Sequence, residues 1–142
     1  MATPTRDERG SATVEAVIGV PAFLLLTALL VLGGRIAIAT QVVQAAASDA
    51  ARAASIARTA ASARADATTA ARHSLTNQDL ACATTSVTVD THAFAAPIGT
   101  AGQVSATVTC ALPLGDLGVP GLAGTKTITA TMSSPLDTYR GR

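Results

Sequence analysis

Hydrophobic and polar positions along this chain follow three successive patterns. Between Glu15 and Arg35 lie nineteen residues, Ala16 to Gly34, with no charge among them. Val17, Ile18, Val20, Phe23, Leu24 to Leu26, Leu29, Leu30, Val31 and Leu32 make this stretch apolar on every side. As a helix it spans roughly 28 Å, close to the ~30 Å hydrocarbon core of a bilayer. Pro21 lies inside it, which membrane helices tolerate better than soluble ones. The second pattern runs from Gln41 to Thr69. Polar residues recur at 41, 44, 48, 52, 55, 59, 62, 66 and 69, in steps of three or four that place them on one helical face. Val43, Ala47, Ala50, Ala54, Ala57, Ala61 and Ala65 fall on the opposite face. No Gly or Pro occurs between Gly34 and Pro97, and Ala is the best helix former, so the spacing predicts a long helix. Joined to the apolar stretch it would form a rod of about 60 residues, ~90 Å if unbroken.

After Asn77 the period changes to two. Val87 and Val89 alternate with polar residues between Thr84 and Thr91, and Val104–Cys110 and Thr127–Met132 alternate more cleanly. Such runs of Val, Ile and Thr read as half-buried antiparallel strands with a Thr-covered solvent face. Pro97, Gly99 and Gly102 mark the first connection; Pro113, Gly115, Gly118, Pro120, Gly121 and Gly124 mark the second. About three short strands need a helix to pack on, which predicts a membrane-anchored α+β fold with a small antiparallel sheet on the distal part of the long helix. The expected organisation is a polar leader (1–10), a transmembrane helix (11–40), an Ala-rich extracytoplasmic helix (41–76), a small β head (77–133) and a loose tail (134–142).

Composition narrows the function classes. Ala supplies much of the 49% hydrophobic content, Trp is absent, and Phe23, Phe94 and Tyr139 are the only aromatic residues. Pockets are usually lined by larger side chains, so a deep catalytic site is not expected. A net charge of +1 lacks the concentrated basic face of a nucleic-acid binder. The sequence holds no Gly-x-Ser-x-Gly elbow, no phosphate-cradling Gly loop with Lys, and no His-Glu-x-x-His. We therefore expect no enzyme activity, no cofactor and no metal site. His73 and His92 are read as structural, His73 near a helix C-terminus and His92 at a strand end.

Three features admit two readings each. Cys82 and Cys110 would pair most simply outside a membrane, at ~3–4 kcal/mol of chain entropy, with free buried thiols as the alternative. The Ala stripe suits close helix–helix contact with another subunit, or packing on the chain's own sheet. The apolar run Ala111–Leu122 reads as a cap on a thin core or as a docking surface. A cleaved secretory signal is a further alternative, since Ala37-Ile38-Ala39 fits a small-residue cleavage site, although the apolar core is longer than such signals use.

The N-terminal segment carries the most specific pattern. Arg6-Asp7-Glu8-Arg9-Gly10 is a polar leader ending in Gly, and Glu15 stands five residues on, at the edge of the apolar helix. A carboxylate there is costly, so it either reaches water through the headgroup region or meets a positive group on a neighbouring chain's N-terminus. Together with Ser11-Ala12-Thr13-Val14-Glu15-Ala16, Pro21-Ala22-Phe23-Leu24-Leu25-Leu26 and Gly33-Gly34-Arg35, this order resembles the TadE-like family, minor pilins or pseudopilins of the tight-adherence (Flp) pilus machinery. The resemblance covers about residues 9–52. It implies cutting by a prepilin peptidase between Gly10 and Ser11, use of Glu15 in assembly, and a single-pass protein with its N-terminus cytoplasmic and its head outside. It also implies lateral contacts with other pilin-like or Tad-system membrane proteins within the lipid bilayer. Ser11 and Ala16 depart from major pilins, which carry a bulky apolar first residue and Tyr after the Glu, and so point to a minor subunit. The preference for Arg over Lys, with abundant Ala, suggests GC-rich, actinobacterial coding.

Overall fold

A computed structural model describes residues 9–97, 99–117 and 124–137. Two helices and three strands follow in the order α1 (Arg9–Ile56), α2 (Ala60–Asn77), β1 (Thr84–Asp90), β2 (Gln103–Pro113) and β3 (Thr125–Pro135), with short 3-10 turns at His92–Ala95 and Leu114–Leu117. The expected α+β arrangement is present. Leader residues 1–8 and tail residues 138–142 lie outside the described residues.

The helical rod is not continuous. Helix α1 stops at Ile56, and α2 starts at Ala60 and folds back to pack on α1. Neither Gly nor Pro makes this break. Thr59 takes an extended conformation (φ −131°, ψ 155°) and caps α2: its side chain accepts from the Ser62 N–H, while the Ser62 hydroxyl accepts from the Thr59 N–H. Such reciprocal capping satisfies two amides that a new helix start leaves unpaired. The break also resets the helical phase. On α1 the expected face is buried, with Val43, Ala47, Ala50 and Ala54 inside, and Ala57 just beyond the helix is buried as well. On α2 the buried residues are Ala63, Ala67, Ala71, Ser74 and Leu75, whereas Ala61 and Ala65 are exposed. The end of α2 is closed by left-handed Asp79 (φ 52°): its N–H donates to the Thr76 carbonyl, and the Leu80 N–H donates to the Leu75 carbonyl. This pair of bonds satisfies the last carbonyls of the helix, and Asp is among the few non-Gly residues that accept this conformation.

The sheet is antiparallel in the order β1-β2-β3. All three strands were foreseen, but β2 extends to Pro113 and β3 to Pro135, so the start of the expected tail is strand. Pro135 pairs opposite Gln103 at the end of edge strand β3, where a missing N–H costs little. Leu136 beyond it is buried, and its N–H donates to the Gly102 carbonyl. Val104, Ala106, Val108, Cys110 and Leu112 alternate inward from β2, with Ile128 and Ala130 from β3. The outer face carries Thr and Ser, with Thr107 bonded to Thr131 (2.8 Å) and Thr109 to Thr129 (3.2 Å). The sheet and α2 together cover the Ala face of α1 from Ala39 onward. Of the two readings of that stripe, packing within the chain is the one the fold realises.

Candidate functional site

The region that the sequence singles out is the N-terminal half of α1, and its exposure is its main property. Ile18 is 68% exposed, Phe23 67% and Leu30 69%, with the other large side chains between Val17 and Val31 about equally open. Ten large apolar side chains lie uncovered in this stretch. Burying each contributes ~1.5–3 kcal/mol, so together they exceed the ~5–15 kcal/mol that stabilises a whole domain. Nothing among the described residues supplies that cover. The helix is long and apolar enough to cross a membrane and is a candidate anchor. Pro21 lacks the N–H that would bond the carbonyl of Val17, and Thr27 and Thr40 return their hydroxyls to the carbonyls of Phe23 and Ile36 (both 2.8 Å).

Glu15 is exposed at the N-terminal end of this apolar surface, seven residues into α1 from Arg9. Gly10 and Ser11 lie in the first turn of the same helix. The three residues singled out by the sequence therefore share one helical segment of about 1.5 turns. At the other end of the apolar surface, Arg35 comes four residues before Ala39, the first buried residue of the core at 2% exposure. The head begins within about one turn of the last apolar stretch, with no linker between them.

Cys82 and Cys110 form a disulfide with Cα atoms 5.5 Å apart. It joins the α2–β1 connection to the buried face of β2, where Cys110 is fully enclosed. The sulfurs are thus unavailable to a metal. His73 and His92 lie on different elements: His73 Nδ1 bonds the Asn77 amide (2.9 Å), and the backbone N–H of His92 donates to the Asp90 carboxylate (3.0 Å). Of the apolar run Ala111–Leu122, Leu112 points inward from β2 and is buried. Residues 118–123 lie outside the described residues.

Two surface features escaped the sequence reading. An open groove of about 620 Å³ is lined by Asp49 of α1, by Asp66, Thr69, His73 and Asn77 of α2, and by Gln78 just beyond it. It exists only because α2 folds back, bringing Asp49 and Asp66 to the same side. No group of three or more His, Cys, Asp or Glu side chains suited to a metal occurs among the described residues. The second feature is a pair of cross-element hydrogen bonds, Arg64 Nη2 to Thr91 Oγ1 (2.8 Å) and Ser134 Oγ to Ser55 Oγ (3.1 Å). Ser55, which its spacing places on the polar face of the helix, is buried; it accepts from Ser134 and donates to the Arg52 carbonyl.

Residues 10–52 match the model of the family described as TadE-like protein. The match covers the start of α1, its whole apolar surface, and the packed part as far as Arg52. No curated protein and no solved structure matches the chain.

Proposed function

We propose that this chain, whose residues 10–52 form a TadE-like segment, is a non-enzymatic minor pilin or pseudopilin of a Tad (Flp-type) pilus or related secretion apparatus. The carrying observation is that the family segment coincides with a single helix. Its N-terminal half is bare and apolar, and its C-terminal half is the spine of a disulfide-tied head. In this reading α1 passes once through the bilayer with residues 1–10 in the cytoplasm and the sheet outside. Prepilin peptidase cuts between Gly10 and Ser11, and the Glu15 carboxylate meets the new positive N-terminus of a neighbouring subunit. That pairing gives the charge at the membrane edge the partner it needs. Lateral contacts belong to the exposed half of α1, because the Ala face of its other half is already covered.

Release of the head after Ala39 is the reading this one displaces. Such a cut would remove only Ala39 from the buried core, so packing alone permits it. The family segment runs on through Ala39 to residue 52, which supports keeping the two halves of α1 in one mature protein. The test is the mature N-terminal residue of the protein recovered from its native envelope, by mass spectrometry. We expect Ser11, lost when the peptidase is absent. A start at Met1 or Ala2 removes the processed-subunit reading and leaves a fixed envelope adaptor, and a start at Thr40 makes the head a released module. Glu15→Ala is expected to abolish assembly with partner subunits while leaving the disulfide and the head's unfolding midpoint unchanged. Unaltered assembly would refute the role of that carboxylate.

A further inference from the structure

The two edges of the sheet are guarded differently. Strand β3 carries Lys126 near its start and Pro135 at its end, two devices that discourage pairing with another chain. Strand β1 runs Thr84-Thr85-Ser86-Val87-Thr88-Val89 with no charge and no Pro, until Asp90 closes it. Its register against β2 is one-to-one throughout, so no bulge twists it away. On its other side it pairs with no strand among the described residues. Every second residue of such an edge turns its N–H and C=O outward, to water or to an incoming strand.

Behind this edge α2 leaves a cleft. Of the inward-facing residues of β1, Val89 is buried, whereas Thr85 and Val87 are only half-buried. Open space lies on either side of Val87. Toward the start of the strand, about 400 Å³ is lined by Arg72, Leu75, Thr76, Leu80, Cys82 and Thr85. Toward its end, about 480 Å³ is lined by residues that include Arg64, Val89, Asp90, Thr91 and His92. Each part therefore has one Arg of α2 as a wall. Arg64 donates to Thr91 Oγ1 (2.8 Å), which steadies its guanidinium, and neither Arg64 nor Arg72 meets a carboxylate among the described residues. Asp90 is on the solvent face and accepts from the backbone N–H of His92. Helix and strand are in step here. Arg64 and Arg72 stand ~12 Å apart along α2, and Thr85 and Val89 stand ~14 Å apart along β1.

We propose that the β1 edge takes an extended acidic segment of a partner protein as a fourth strand. A strand laid against β1 turns its residues i, i+2 and i+4 toward α2. Acidic side chains at i and i+4 then meet the two guanidiniums, and an apolar one at i+2 covers Val87. Backbone pairing supplies the binding, and the Arg–carboxylate contacts set the register. A second copy of this chain does not fit as the occupant, because no two of its nine acidic residues stand four apart. The proposal does not depend on α1 crossing a membrane.

The test is fluorescence anisotropy of a labelled peptide, Thr-Glu-Thr-Val-Thr-Glu-Thr, titrated with the full chain in mild detergent micelles. We expect saturable binding, weakened about tenfold or more when both Glu are replaced by Gln or when the same residues are reordered as Glu-Glu-Thr-Thr-Thr-Thr-Val. Arg64→Gln and Arg72→Gln should each weaken it about threefold to fivefold, with far-UV circular dichroism unchanged. N-methylation of alternate residues should abolish binding on one edge of the peptide and leave it intact on the other, since only one edge pairs with β1. Equal binding of the reordered peptide, or tolerance of both methylated forms, would mean that charge alone attracts it and would overturn the proposed strand. Binding untouched by both Arg substitutions removes the role of α2, and the absence of saturable binding removes the site.

Discussion

Reducing the Cys82–Cys110 bridge tests how thin the head's own core is. The two residues are 28 apart in sequence. Closing a loop of that size removes unfolded-state entropy worth ~3.5 kcal/mol at 25 °C. The core offers little to offset its loss: Val43, Val104, Val108 and Cys110 are the largest side chains fully buried, and most of the rest is Ala. If the head's stability lies near the lower end of the ~5–15 kcal/mol range, reduction takes away most of it. The assay is urea unfolding of the full chain in mild detergent micelles, followed by far-UV circular dichroism, with and without a phosphine reductant. Intact mass after alkylation reports complete opening of the bridge. With a slope of ~1–3 kcal/mol per molar urea, the midpoint should fall by about 1–3.5 M. A fully reduced protein whose midpoint moves by less than ~0.3 M would refute the reasoning, because the slope could then not hide a loss of that size. Cys82→Ser/Cys110→Ala should fall by at least as much, since the shorter side chain at 110 also leaves a small void in an enclosed site.

Substitutions on α2 separate the observed helical phase from the one that the polar spacing implied. Ala67→Leu forces a large side chain between α2 and α1 and should cost ~1–3 kcal/mol, whereas Ala65→Leu, on the exposed side, should stay within about ±0.5 kcal/mol, both read from urea midpoints. At Gly102 an added Cβ would stand 2.9 Å from the Cβ of Ala93, so Gly102→Ala should displace the His92–Ala95 turn. Amide exchange across residues 92–96 should quicken; an unchanged rate would mean the turn yields without penalty.

Much of this architecture is written locally. Nineteen uncharged residues announce the apolar helix, and alternating Val and Thr announce the strands, because both patterns follow from side-chain periodicity alone. The hairpin between α1 and α2 is different. Its break falls in Ala57-Arg58-Thr59, with only the Thr59–Ser62 cap to mark it, and continuing the helix would have cost little in propensity. Folding back wins because it covers the Ala faces of both helices, a gain that exists only once the segments meet. Ser55 and Ser134 were obscured for the same reason: as isolated residues they look solvent-facing, and as a pair they satisfy each other inside. The polar groove through Asp49 and Asp66 likewise depends on a contact between distant segments. At the N-terminal site, by contrast, Gly10, Ser11 and Glu15 are neighbours in sequence and on one helix, so their proximity was legible from the start.

Because α1 runs without interruption from its bare half into its packed half, the head has no azimuth of its own. Each residue of the helix turns by ~100° and advances ~1.5 Å, so the direction in which the Thr-rich face looks is geared to the side of the helix on which Glu15 stands. In the proposed assembly, a subunit gripped by that carboxylate is thereby aimed as well as held. Drawing the helix out of the bilayer along a screw path would swing the head around its neighbours as it rises, and adding one residue between Arg35 and Ala39 would point it about a quarter-turn astray.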